Sequence, residues 1–219
     1  MEVLAVGFGG WIITVMILAI LGLQDSDTVS RPTWMAFFLV LEATITLALV
    51  LILERYRFSG TKVFSLVRWD PGAILTAVAV LPILFFLVFF SGWFFQLYFP
   101  QYASQGNPLL ERIKTPLDLV SFLVAGVYAG GVKEEVQRSF ILLRFEERLG
   151  GIYPGLLIWS AVFGLGHYEQ GWSSAFSAGI LGLIFGGVFI WKRNLFASVS
   201  IHAVYNVAVL LIYWHYLRP

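Results

Sequence analysis

The chain has 219 residues, 59% hydrophobic, 17% aromatic and only 12% charged, with a formal net charge of +1 and no cysteine. Soluble domains average about 25% charged residues, so the composition excludes a water-exposed globule and makes the bilayer the natural solvent. The near-neutral charge excludes nucleic acid as a partner, and the lack of cysteine excludes disulfides, thiolate nucleophiles and Cys-based zinc sites.

Seven hydrophobic segments approach or exceed the roughly 20 apolar residues that a span needs. They are roughly Val3–Leu23, Trp34–Leu53, Ala73–Phe99 with Pro82 inside it, Leu117–Arg148, Pro154–Tyr168, Ser174–Trp191 and Leu195–Leu217. The fifth is short. Pro116 and Pro154 suit the first turn of a helix, where a missing N–H is harmless. The stretch "RYRFSGTKVFSLVRW" between the second and third segments suits an interfacial helix. Glu2 stands where a signal peptide would be basic, so the first segment reads as an uncleaved span. The pattern predicts an all-α, polytopic transmembrane bundle of about seven spans, one membrane-embedded domain over residues 1–219, with membrane lipids around it.

Loop charges suggest an orientation. Arg55, Arg57, Lys62 and Arg68, then Arg144 and Arg148, then Lys192 and Arg193 fall on one side; Arg31, Arg112, Lys114 and Arg218 fall on the other. This bias puts the N-terminus in the cytoplasm and the C-terminus outside, in an integral protein of the plasma membrane.

The fourth segment breaks its own pattern. In "GVKEEVQRSFILLRFEER", Lys133, Glu134, Glu135 and Arg138 fall inside an apolar run. A charge at mid-membrane costs at least about 2.5–3.5 kcal/mol on insertion scales, so such residues face a protein interior, find partners and have a use. Glu134 and Arg138 are four apart and Glu135 and Arg138 three apart, both spacings that share a helix face. One carboxylate can neutralise Arg138, and the other is surplus. A plain ion-pair staple, with Lys133 taking the second Glu, is the competing reading. Glu42, with Thr44 and Thr46 nearby, reads as a hydrogen bond to another helix. Arg144, Glu146, Glu147 and Arg148 read as a solvated helix end.

Of the three histidines, His215 lies in "YWHYLRP" and suits an interfacial aromatic belt. His167 ends the fifth segment. His202 lies inside the seventh, with Asn206 one turn further along the same face. A lone His on an apolar helix is more often packed than catalytic, but two of them beside a surplus acid and an in-phase Asn argue for a site. At 1.5 Å rise per residue, Glu134 and His167 lie about 20 Å from the cytoplasmic ends of their segments and His202 about 10 Å, a gap that helix tilt closes. Gly126, Gly130 and Gly131 on the fourth segment, and Gly182, Gly186 and Gly187 on the sixth, read as small-residue packing faces. "PILFFLVFFSGWFF" reads as lipid-facing bulk.

These residues support two chemistries. A Glu and His167 can hold and deprotonate a water while His202 and Asn206 donate to the oxyanion of a peptide carbonyl. Alternatively His167, His202 and a Glu ligate zinc, with the other Glu as base; the HExxH motif is absent.

"EEVQR", "FGLGH" (Phe163 to His167) and "HAVYN" (His202 to Asn206) occur in that order on successive segments, 33 residues from Glu134 to His167 and 35 from His167 to His202. The set resembles the three motifs of the CPBP family, the CAAX proteases and bacteriocin-processing enzymes also called Abi. The resemblance covers roughly residues 117–217, a CPBP-like catalytic core. The second and third motifs match at each defined position. The first departs: the family pattern EExxxR has three residues before the Arg, and here Val136 and Gln137 alone intervene. Aligning the acids puts Ser139 at the Arg position; aligning the Arg puts Lys133 and Glu134 at the acids. The four-residue spacing of Glu134 and Arg138 places Glu134 ahead of Glu135 as the water-activating acid, with Arg138 holding a carboxylate.

The resemblance implies an intramembrane endopeptidase that uses Glu134, Glu135, Arg138, His167, His202 and Asn206 without a cofactor. It acts on a peptide or protein cleaved at a C-terminal or membrane-proximal site. A zinc-dependent version stays open. The alternatives are a non-catalytic scaffold or bacteriocin-immunity protein of the same fold, and a proton-coupled transporter relaying through the two acids. The transporter calls for inverted repeats, which the sequence does not display.

Overall fold

The computed structural model describes residues 1–23, 31–56, 60–104 and 106–217. Among the described residues seven helices follow in order: α1 (Glu2–Ile20), α2 (Pro32–Tyr56), α3 (Pro71–Tyr98), α4 (Pro116–Arg148), α5 (Ile152–Leu165), α6 (Trp172–Lys192) and α7 (Leu195–Leu217). No strand occurs among the described residues, and the bundle is the all-α polytopic fold the sequence predicts.

Six of the helices are long and apolar enough to cross a membrane. The exception is α5. Its 14 residues reach about 21 Å at 1.5 Å per residue, short of a hydrocarbon core of about 30 Å. The expected fifth span therefore ends at Leu165, and Tyr168 falls in a 3₁₀ turn. The expected interfacial helix is also absent over the described part of its stretch, where a 3₁₀ turn occupies Val63–Leu66. Arg57 and Arg218 lie outside the described residues.

Helix starts follow local chemistry. Thr115 and Asp118 form a capping box at α4, with Pro116 in the first position. Asp70 caps α3 ahead of Pro71, and Asn194 caps α7. Each supplies a side-chain acceptor to an otherwise orphaned N–H. Gly150 and Gly151, with φ of 96° and 111°, turn the chain from α4 into α5 through backbone that other residues avoid.

Within lipid, burying apolar surface against another helix gains little over burying it in acyl chains, so close packing and polar ties hold the bundle. α5 lies against α6, α1 against α2, and α3 against α6 and α7. Gly164 meets Gly179, and a Cβ on Gly131 would come 2.7 Å from Ala203 Cβ. Gly182 and Gly186 behave as expected, whereas Gly187 faces open space. Phe86, Phe89 and Trp93 of α3 are exposed on the lipid side. At the centre runs α4, with every residue from Glu135 to Arg144 buried.

The two ends differ. At one, the 60–70 loop, the end of α4 and the α6–α7 turn are strapped together. Arg68 donates to the carbonyls of Lys192 and Arg193, Arg144 to Thr61 O (2.5 Å), and Arg193 pairs with Glu146. Arg144 is thus buried, not solvated as expected; it also pairs with Glu147 at 3.0 Å and stacks on Phe140. At the other end the segment before α4 docks on the α5–α6 turn, with Ser104 bonding Gln170 O and Ser173, and Asn107 bonding Gln170.

Candidate active site

α4 is not a continuous α-helix. Gly126–Lys133 forms a π segment between two α-helical stretches, and Glu134 is the first residue after it. Such i→i+5 turns are rare inside α-helices and frequently mark functional positions. Here α7 lies directly on it. Asn206 Nδ2 donates to Gly126 O (3.0 Å), and a Cβ on Gly130 would stand 2.3 Å from that same nitrogen. The glycines of "GVYAGG" thus admit α7, and with it His202 and Asn206, to backbone contact.

The two adjacent acids have different fates. Glu135 has no exposed side-chain surface and pairs with Arg138. This corrects the expected pairing of Arg138 with Glu134: the three-residue spacing, not the four-residue one, carries the ion pair. The same oxygen of Glu135 accepts from His202 Nδ1 at 2.8 Å. Arg138 is wholly buried, with Cζ 4.6 Å from the Phe163 ring centroid and 5.8 Å from that of Phe185. A buried cation held by a carboxylate and two aromatic faces is a structural brace.

Glu134 is left over. Its side chain keeps 20% exposure, and Oε2 lies 3.8 Å from His202 Nε2. Lys133 does not serve it, because Lys133 Nζ pairs with Glu42 Oε2 at 2.8 Å. That pairing sets aside the competing reading of Lys133 as a partner for the second Glu, and it ties Glu42 to another helix as expected, through a charged partner. Of the five ionised groups Glu42, Lys133, Glu134, Glu135 and Arg138, two pairs neutralise each other and Glu134 remains.

Both histidines are oriented through Nδ1. A carbonyl and a carboxylate only accept, so each Nδ1 is the donor. His167 Nδ1 donates to Phe163 O at 2.9 Å, and His202 Nδ1 to Glu135. Nε2 of each ring is thereby free for chemistry. Phe163, whose ring centroid lies 4.7 Å from His167 and 6.5 Å from His202, joins both rings and Arg138 in one packed unit. Phe185 stacks on His202 at 4.4 Å. His215 packs beside Tyr216 in the last turn of α7.

Phe185 and the Glu42–Lys133 pair escaped the sequence reading. Phe185 sits in an apolar run whose spacing marks nothing, and Glu42 belongs to a distant span. Zinc would suit His167, His202 and Glu134 by ligand type, yet among the described residues no three His, Asp or Glu side chains come near enough to one another to hold one ion.

Residues 115–208 match the family of type II CAAX prenyl endopeptidases described as Rce1-like. The match starts at the N-cap of α4 and runs into α7, so it contains the six candidate residues, and it bears out the CPBP resemblance. No curated protein and no solved structure matches the chain.

Proposed function

We propose that the protein hydrolyses a peptide bond of a membrane-anchored substrate, with Glu134 as the base that activates water. The substrate class suggested by the family description is a prenylated CAAX peptide, cleaved to release its C-terminal tripeptide. One observation carries the reading: Lys133 pairs with Glu42 and Arg138 with Glu135, so among the described residues Glu134 is the acid at the core of α4 that forms no ion pair with a Lys or Arg, and it faces Nε2 of His202.

Water sits between Glu134 and His167 Nε2. Glu134 takes one proton as the water oxygen attacks the scissile carbonyl, and the tetrahedral oxyanion receives hydrogen bonds from His202 and Asn206. His202 turns Nε2 towards the oxyanion, with Glu135 fixing the ring at Nδ1. Asn206 uses one amide hydrogen on Gly126 and offers the other. As the C–N bond breaks, protonated Glu134 returns its proton to the leaving amine. Arg138 takes no part in proton transfer. The N-terminus lies on the cytoplasmic side of the plasma membrane, in line with the basic residues gathered where the α4 and α6 ends meet.

The reaction needs no metal in this scheme. Protein purified without chelator is expected to hold no stoichiometric zinc by elemental analysis, and to cleave an S-farnesyl CAAX peptide equally well after treatment with a strong chelator. One zinc per chain, with activity lost on removal and restored by zinc, would make His167 and His202 ligands instead. Wild-type function in a variant with the motif residues replaced by neutral ones of similar size would favour a scaffold.

A further inference from the structure

The family match begins at residue 115, yet α1 and α2 reach the site. Glu42 of α2 has both carboxylate oxygens engaged: Oε1 accepts from Thr46 Oγ1 at 2.9 Å and Oε2 pairs with Lys133 at 2.8 Å. Glu42 and Lys133 are both buried. α1 closes over the pair so tightly that a Cβ on Gly10 would fall 1.8 Å from Thr46 Oγ1 and 3.2 Å from Glu42 Oε1. One turn along α4, Gln137 Nε2 donates to Val6 O of α1 at 2.7 Å.

Lys133 is the last residue of the π segment and Glu134 the next in the chain. The segment is tied at its start to α7, through Asn206 and Gly126 O, and at its end to α2, through Lys133 and Glu42. Rotation of the helix at this junction would swing Glu134 away from His202. We propose that Glu42 is a positioning residue: by holding Lys133 it fixes the angle at which α4 presents Glu134. This role rests on the hydrolase reading above and extends the working site to spans outside the matched domain.

Removing one charge alone would leave its partner buried and unpaired, a large folding cost of its own. The informative variant is therefore Glu42→Gln/Lys133→Met, tested in the full chain in detergent with a fluorogenic S-farnesyl CAAX peptide. Its unfolding midpoint should stay close to wild type while kcat falls about tenfold or more at unchanged KM, since a misplacement of about 1 Å can cost about a hundredfold. Glu42→Asp, which retains charge but shortens the reach, serves as a second variant and should lower kcat at wild-type stability. Wild-type kcat in the double variant and in Glu42→Asp would overturn the proposal. If the wild type does not cleave this peptide, the hydrolase reading fails separately. Hydrogen–deuterium exchange over residues 126–134 then decides: faster exchange in the double variant supports the tie, and unchanged exchange overturns it.

Discussion

Glu134→Gln is expected to cripple turnover while leaving the protein folded. The substitution keeps the size of the side chain and removes the carboxylate at the α4 core that, among the described residues, forms no ion pair with a Lys or Arg. A positioned general base contributes about 10²–10⁴-fold, so a kcat loss of that order is expected, with KM little changed because the amide still occupies the same space. Glu135→Gln is the contrast. Glu135 is the counter-ion of Arg138 and the acceptor for His202 Nδ1, so that variant should lose stability together with activity. Activity and unfolding midpoints of the two, measured side by side, separate the roles. If Glu135→Gln is inactive but stable and Glu134→Gln retains activity, the assignments are reversed.

Arg138→Met is expected to cost about 3–5 kcal/mol of stability, the range for breaking a buried pair by deleting one partner. The guanidinium has no exposed surface, and its loss leaves the buried Glu135 without its cation. Arg138→Lys keeps the charge but loses the planar fork that lies against the two rings, so an intermediate loss is expected. Arg138→Met/Glu135→Gln, which deletes both charges, should regain much of the stability without regaining activity. Unfolding in detergent by heat or denaturant reads all three. An Arg138→Met protein as stable as wild type would remove Arg138 from the brace.

Much of this was legible in the sequence because the bilayer makes polar residues conspicuous. Glu134, Glu135, Arg138, His167, His202 and Asn206 each stood out against apolar neighbours, and their order on successive segments carried the family resemblance. Helix spacing then failed to choose between two pairings. Positions three and four apart both share a face, and the π segment just before Glu134 changes how the helix meets its neighbours. No residue pattern in "GVYAGGVK" announces that widened turn. The Glu42–Lys133 pair was hidden for a different reason: its partners are 91 positions apart in the chain, and a single acid in an apolar span does not name its cation. The short α5 was visible as a short segment, but that it stops at Leu165 depends on the turn that docks beneath Ser104 and Asn107.

The measurement that bears most directly on the central claim is product analysis in H₂¹⁸O. Purified wild-type protein is incubated, in a single turnover, with an S-farnesyl CAAX peptide, and both fragments are weighed by mass spectrometry. Direct attack by water held at Glu134 predicts an intact C-terminal tripeptide and one ¹⁸O on the new farnesyl-cysteine carboxylate from the first turnover, with none in the protein. Release of an unlabelled carboxylate in that first turnover, with ¹⁸O appearing on Glu134 instead, would make Glu134 a nucleophile and contradict the account.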